Sequence, residues 1–197
     1  MPGLFEPAPE GPGAAVVLDA VEISILRSLG VQLLELIGPG ESEDQDPFEA
    51  LFNEGPSEPP ADPALARLFP DAYGGPESSG DDEQLRSYAA EFRRFTEPDL
   101  RTRKREDALA VVRSLDALAV PGDDGVTVLT LDAEGSRSWL GTLNDLRLTV
   151  ASRLDITDED ESGELYRLPD DDPRKPMVMA YLWLGGLQES LVDTLLV

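Results

Sequence analysis

The residues of this chain with the most evident chemical potential are an arginine and an asparagine on an otherwise apolar helix face. With residues 136–154 on a helical wheel, Trp139, Leu143, Leu146, Val150 and Leu154 share one side, Arg147 falls among them, and Asn144 lies at the border. A desolvated guanidinium is costly unless it is paired, so Arg147 predicts a carboxylate partner. The nearest candidates are in the last apolar stretch, about 176–196, whose few polar residues are Gln188, Glu189 and Asp193. Glu189 and Asp193 stand at i,i+4 on a common face, and Glu22 in the first helix is a third option. Asn144, Arg147, Tyr181, Gln188, Glu189 and Asp193 thus form a candidate polar network or pocket. It either fixes helix register or receives a small anion or a partner's side chain.

Other chemistry is narrowed by absence. The sequence contains no Cys and no His, the side chains that do most metal, redox, nucleophilic and near-neutral proton-transfer work. A carboxylate-only hydrolase is a remaining alternative, but no pair of acids is marked by spacing for opposed acid and base roles. Gly185-Gly186 falls inside a helical pattern, where it suits close helix packing better than phosphate binding. Asp155 to Asp160 lacks the glycine and terminal glutamate of an EF-hand loop. We therefore expect no catalytic residue, metal or cofactor. Arg101, Arg103, Lys104 and Arg105 are the one basic cluster, and it is surrounded by acids without an aromatic or glycine pattern. It reads as a balance for acidic segments or as a partner contact, and not as a nucleic-acid site.

These residues need elements to hold them. Ala14 to Leu18 reads as a strand, followed by Asp19 and Glu22 in a capping-box arrangement that starts a helix over Ala20 to Ile37, ended by Gly38-Pro39-Gly40. Residues 81–95 read as a second helix, broken at Thr96-Glu97-Pro98, and residues 99–118 as a third. The turn Pro121 to Gly125 leads to the clearest strand, Val126 to Leu131. There the opening pattern repeats: Leu131-Asp132-Ala133 echoes Leu18-Asp19-Ala20 and leads into a helix starting near Gly135-Ser136. The last helix is apolar nearly all round and is expected in the middle of the bundle. The fold class is mainly α with a minor β element, an α+β arrangement. It comprises a bundle of about five helices, a small two-stranded sheet and a long acidic insertion.

A chain of 197 residues with 41% hydrophobic content fits a single domain, residues 1–197. Its 17 Pro and 17 Gly concentrate in two stretches. Residues 1–13 are expected to be disordered. Residues 41–83, with many acids and one cation, Arg67, are expected to be a flexible acidic insertion. Within it, Phe48-Leu51-Phe52 and Leu65-Leu68-Phe69 each follow an Asp-Pro and are expected to dock on the core or, as the alternative, to serve as short linear contacts for a partner. With 40 Asp+Glu against 16 Lys+Arg the net charge is -24, which works against nucleic acid and anionic membranes and favours a protein partner with a basic surface. No targeting segment or apolar run of membrane-spanning length is present, so the expected location is cytoplasmic. The leucine-rich last helix leaves room for a homodimer.

Three blocks carry a resemblance: Leu18-Asp19-Ala20 with Leu26-Arg27-Ser28-Leu29, Trp139 to Leu148, and Tyr181 to Val192. On these the chain resembles a family of actinobacterial proteins catalogued as a domain of unknown function. Some of its members are described as oxidative-stress regulators that act on transcription through an RNA polymerase sigma factor. The resemblance implies a regulatory, protein-binding role with a sigma factor as partner. Without Cys, such a role here runs without a thiol–disulfide switch.

Overall fold

Two strand-to-helix units whose strand and helix are joined by the same Leu-Asp-Ala sequence organise the molecule. In this computed structural model the described residues are 3–9, 11–39, 55–73, 83–118, 125–156 and 167–196. The elements run β1 (Glu6–Pro7), β2 (Gly13–Asp19), α1 (Ala20–Ile37), α2 (Pro63–Leu68), α3 (Glu83–Asp116), β3 (Val126–Asp132), α4 (Ala133–Arg153) and α5 (Lys175–Leu195). β2 and β3 pair antiparallel, Gly13 opposite Asp132 and Asp19 opposite Val126, so both strands end beside the helices they feed. Alternation puts Ala14, Val16, Leu18, Leu129 and Leu131 in the core. The expected two-stranded sheet gains a third strand, β1, on the outer side of β2.

The helix starts follow from local chemistry. Asp19 Oδ1 accepts from the backbone N–H of Val21 and Glu22, both at 2.8 Å, while Glu22 Oε2 accepts from Asp19 N–H at 2.9 Å, closing the capping box. Asp132 repeats the role at α4, accepting from Gly135 N–H at 2.7 Å, so this helix begins directly after the cap at Ala133. Asp62, ahead of Pro63, accepts from the Ala64 and Leu65 N–H groups and starts α2.

Several expectations are corrected. The helix over 83–116 is continuous through Pro98. A proline cannot donate to the carbonyl four residues back, which leaves Arg94 O without its helical partner. Gly55 fills that vacancy, its N–H donating to Arg94 O at 3.0 Å. Only glycine fits there, since a Cβ would lie 2.7 Å from that oxygen and from Pro98 Cγ. Part of the segment expected to be flexible is built in over 55–73, with Ala64 and Leu68 of α2 buried where it meets α4 and Phe69 buried under Arg101 of α3. Phe48, Leu51 and Phe52 lie outside the described residues, as does most of Asp155 to Asp160. The N-terminal arm is tied down as well. Phe5 is buried edge-on to Trp139, ring centroids 5.7 Å apart, and its N–H donates to Ser190 Oγ at 3.0 Å.

The central helix is α4 and not α5. α4 meets α1, α2, α3, α5 and the inner face of the sheet, and buries Trp139, Leu143, Leu146 and Val150. α5 buries one stripe, Val178, Leu184, Leu187 and Leu191, and leaves Met177, Met179, Leu195 and Leu196 exposed. An apolar composition all round does not make a helix central when its neighbours cover only one side. Among the described residues, no helix is long and apolar enough to cross a membrane.

Candidate functional site

The facing surfaces of α4 and α5 bring most of the candidate polar residues together. A groove of about 570 Å³ is lined by Arg147, Tyr181, Gln188, Glu189 and Asp193, with Leu182, Gly185, Gly186 and Val192 completing its walls. Arg147 Nη1 donates to Gln188 Oε1 at 2.7 Å, and the guanidinium carbon lies 5.2 Å from the centre of the Tyr181 ring. Its flank rests over Gly185, where a Cβ would sit 3.6 Å from Nε. Asn144 is exposed beside the groove, its Oδ1 3.5 Å from Gln188 Nε2. The carboxylate partner expected for Arg147 is not found among the described residues: its hydrogen-bond partner is a neutral amide, and Nε is buried without an acceptor. Half-burial explains why this is tolerated, because the remaining guanidinium edge faces the groove. Two of the three blocks that carry the family resemblance, Trp139 to Leu148 and Tyr181 to Val192, thus meet across this groove.

The basic cluster is largely consumed inside the molecule. α1 has no basic residue in its last turn, and α3 supplies the missing cations. Arg101 Nη1 donates to Ile37 O at 2.7 Å and Arg105 Nη1 to Gly38 O at 2.8 Å, satisfying terminal carbonyls of α1. Lys104 Nζ is 2.6 Å from Asp145 Oδ1. Burial pushes the Asp145 carboxyl above its usual range, with Lys104 opposing and the nearby Asp107 charge adding to the rise. Arg103 is exposed.

A second charged network was not foreseen. Arg93 and Glu97, both buried, pair with each other across one turn of α3. Arg93 Nη2 also donates to Phe69 O at 3.1 Å and to Asp71 Oδ1 at 2.7 Å, and Glu97 Oε1 accepts from Arg101 Nε at 2.8 Å. Burial works against the Arg93 charge, but the Asp71 and Glu97 carboxylates outweigh it and hold its pKa up. The signal was available as a ladder at i,i+4, Ala89, Arg93, Glu97, Arg101, on the face that later carries Ala108 and Val112. By fixing Phe69 and Asp71, this network sets Tyr73 against α3. Tyr73, Tyr88, Phe92 and Phe95 form an exposed aromatic face, with Tyr73 5.9 Å from Phe92 and 6.1 Å from Tyr88 between ring centres. Glu91 and Thr96 complete a shallow groove of about 460 Å³ there, and Asp99 follows Phe95 by one turn.

Chemically, the α4–α5 groove can hold an anion on Arg147 and a cation on Glu189 and Asp193, and the aromatic face can hold apolar and cationic side chains. No group of three or more acids among the described residues is placed to hold a metal ion.

Comparison with known proteins adds a family. Oxidative stress regulator AosR of Mycobacterium tuberculosis and that of Mycobacterium bovis are each 30% identical over 194 residues, covering 95% of this chain and 84% of the relative. A relative from Mycobacterium leprae is 31% identical over 193 residues, covering 94% and 84%. No solved structure matches the chain. A family model matches residues 3–195, and the chain belongs to the family described as domain of unknown function DUF2017.

Proposed function

We propose that this chain is a non-enzymatic cytoplasmic regulator that acts by holding a protein partner with a basic surface, a sigma factor being the partner that fits the family resemblance. The similarity to proteins named oxidative stress regulator supports the regulatory part. The observation that carries the binding part is the aromatic face of α3. Tyr73, Tyr88, Phe92 and Phe95 are all near half-exposed or more, Tyr73 meets Phe92 edge-on and Tyr88 at a tilt, and a buried ion network lies beneath them. Rigid aromatic anchors framed by acids suit a cationic, partly apolar protein surface. The remaining electrostatics agree: Arg27, Arg93, Arg101, Lys104 and Arg153 are all spent on the protein's own carboxylates, leaving the acidic excess outward.

The test is binding of the full chain to each purified sigma factor of the source cell, at low and high salt, with Phe92→Ser/Phe95→Ser alongside. The reading expects binding that weakens steeply with salt and drops more than about tenfold in the double variant. Absence of binding to all of them at low salt, or binding indifferent to both salt and the variant, overturns it.

A further inference from the structure

We propose that the α4–α5 groove over Arg147 is a binding site for a small zwitterion of the α-amino acid type. The ligand's carboxylate meets the Arg147 guanidinium and its ammonium faces Glu189 and Asp193. The starting observation is a half-buried guanidinium at the groove wall that no carboxylate among the described residues neutralises and whose Nε is buried without an acceptor. Four buried or half-buried cations of α3 have an anionic or carbonyl partner: Arg93 has Asp71 and Glu97, Arg101 has Glu97, Lys104 has Asp145, Arg105 has Gly38 O. Of the exposed cations, Arg27, Arg153 and Arg174 are paired as well. Arg147 has no carboxylate among the described residues, only Gln188 Oε1 at 2.7 Å and the Tyr181 ring.

Shortage of acids is not the reason. The chain has 40 Asp+Glu against 16 Lys+Arg, and two of those acids, Glu189 and Asp193, line the same groove. An amide and an aromatic ring orient a guanidinium without neutralising it, and Gly185 lets the group lie flat on α5. The result is a positioned positive charge at the wall of an open groove of about 570 Å³, ready for a carboxylate.

The surrounding field selects among carboxylates. A protein of net charge -24 depletes simple anions near its surface, and Glu189 and Asp193 at the rim repel them further. A zwitterion carries no net charge into that field and presents a cation to those two acids. Leu182 and Val192 add an apolar wall for a side chain. The inference is independent of the partner-binding reading, because it uses none of the aromatic face.

The experiment is thermal unfolding of the full chain with each common α-amino acid, followed by the stripped analogues of any hit. For leucine these are 4-methylpentanoate, which lacks the ammonium, and 3-methylbutylamine, which lacks the carboxylate. A ligand at about one hundred times its Kd raises Tm by roughly 5–10 °C for a chain of this size. We expect at least one amino acid to do so, both of its analogues to fail, and Arg147→Ala to abolish the shift. Gln188→Leu keeps the charge but loses its orientation, and is expected to weaken binding by about tenfold or more. It serves as the test should Arg147→Ala not fold. No shift with any amino acid, a shift equally strong with the carboxylate-only analogue, or a shift unchanged in the Arg147 and Gln188 variants would each overturn the proposal.

Discussion

Glu97 is the residue whose loss discriminates most sharply between a buried ion pair that holds the structure and one that is incidental. Its side chain is 2% exposed and accepts from Arg93, 4% exposed, and from Arg101. Glu97→Ala strands the Arg93 guanidinium in the interior, with only Asp71 left as its carboxylate. Removing one partner of a buried pair costs about 3–5 kcal/mol. At about 2–4 °C per kcal/mol for a chain of this size, Tm falls by roughly 6–20 °C. The companion variant replaces the pair with apolar side chains of similar volume, Arg93→Met/Glu97→Leu. It removes the stranded charge along with the attraction but leaves Phe69 O without its donor, so it is expected to cost about 1–3 kcal/mol, less than Glu97→Ala. Urea titration followed by circular dichroism gives both values, and protease cleavage within residues 55–73 reports whether that segment has detached from α3. A Glu97→Ala cost below about 1 kcal/mol would falsify the reasoning, and so would a double variant as unstable as the single one.

Three further outcomes test other parts of the structure. Gly55→Ala forces a Cβ against Arg94 O and Pro98, and loss of that bond is expected to cost about 1–3 kcal/mol. Faster amide exchange in the middle of α3 would accompany it; exchange indifferent to the change would show that Pro98 is accommodated in another way. Phe5→Ala empties a core site beside Trp139 and is expected to cost about 3–5 kcal/mol in denaturant titration, against almost nothing if the arm were loose. Asp145, raised by burial, keeps its proton in the folded protein at pH values where the unfolded chain has already lost it. Its contribution to stability is therefore present below the ordinary aspartate pKa and lost as pH rises through the raised value. Asp145→Asn cannot titrate, so its stability relative to the parent should climb with pH across that window. A flat or falling difference in urea titrations contradicts the assignment.

What could be read from the residues was what depends on near neighbours. The Asp19 and Asp132 caps, the alternation in β2 and β3, and the place of Arg147 on the inner face of α4 all follow from spacings of two to four residues. What could not be read depends on distant groups. Pro98 looks like a breaker until Gly55, far away in sequence, supplies a donor to Arg94 O. Arg101 and Arg105 look like a surface patch until the end of α1 is placed beside them. The rule that a buried arginine needs a carboxylate failed at Arg147 because burial is partial and an amide suffices to orient it. The Arg93–Glu97 pair went unseen because charged residues are read as solvent-facing, although their spacing continues the buried stripe of α3.

The contact between Phe5 N–H and Ser190 Oγ spans 185 residues of chain, and it bears on how the protein comes off the ribosome. At about 5–20 residues per second, the arm around Phe5 waits roughly 10–40 s after its own synthesis for its docking site to be made. β2 waits for β3 in the same way, its apolar face and the edge that β3 will cover open to other nascent chains. During that interval the acids of the first half of the chain are the available protection, since mutual repulsion keeps unfinished copies apart. Strong acidity in this protein thus has a use before any partner is met, in carrying a fold closed by long-range contacts safely through its own translation.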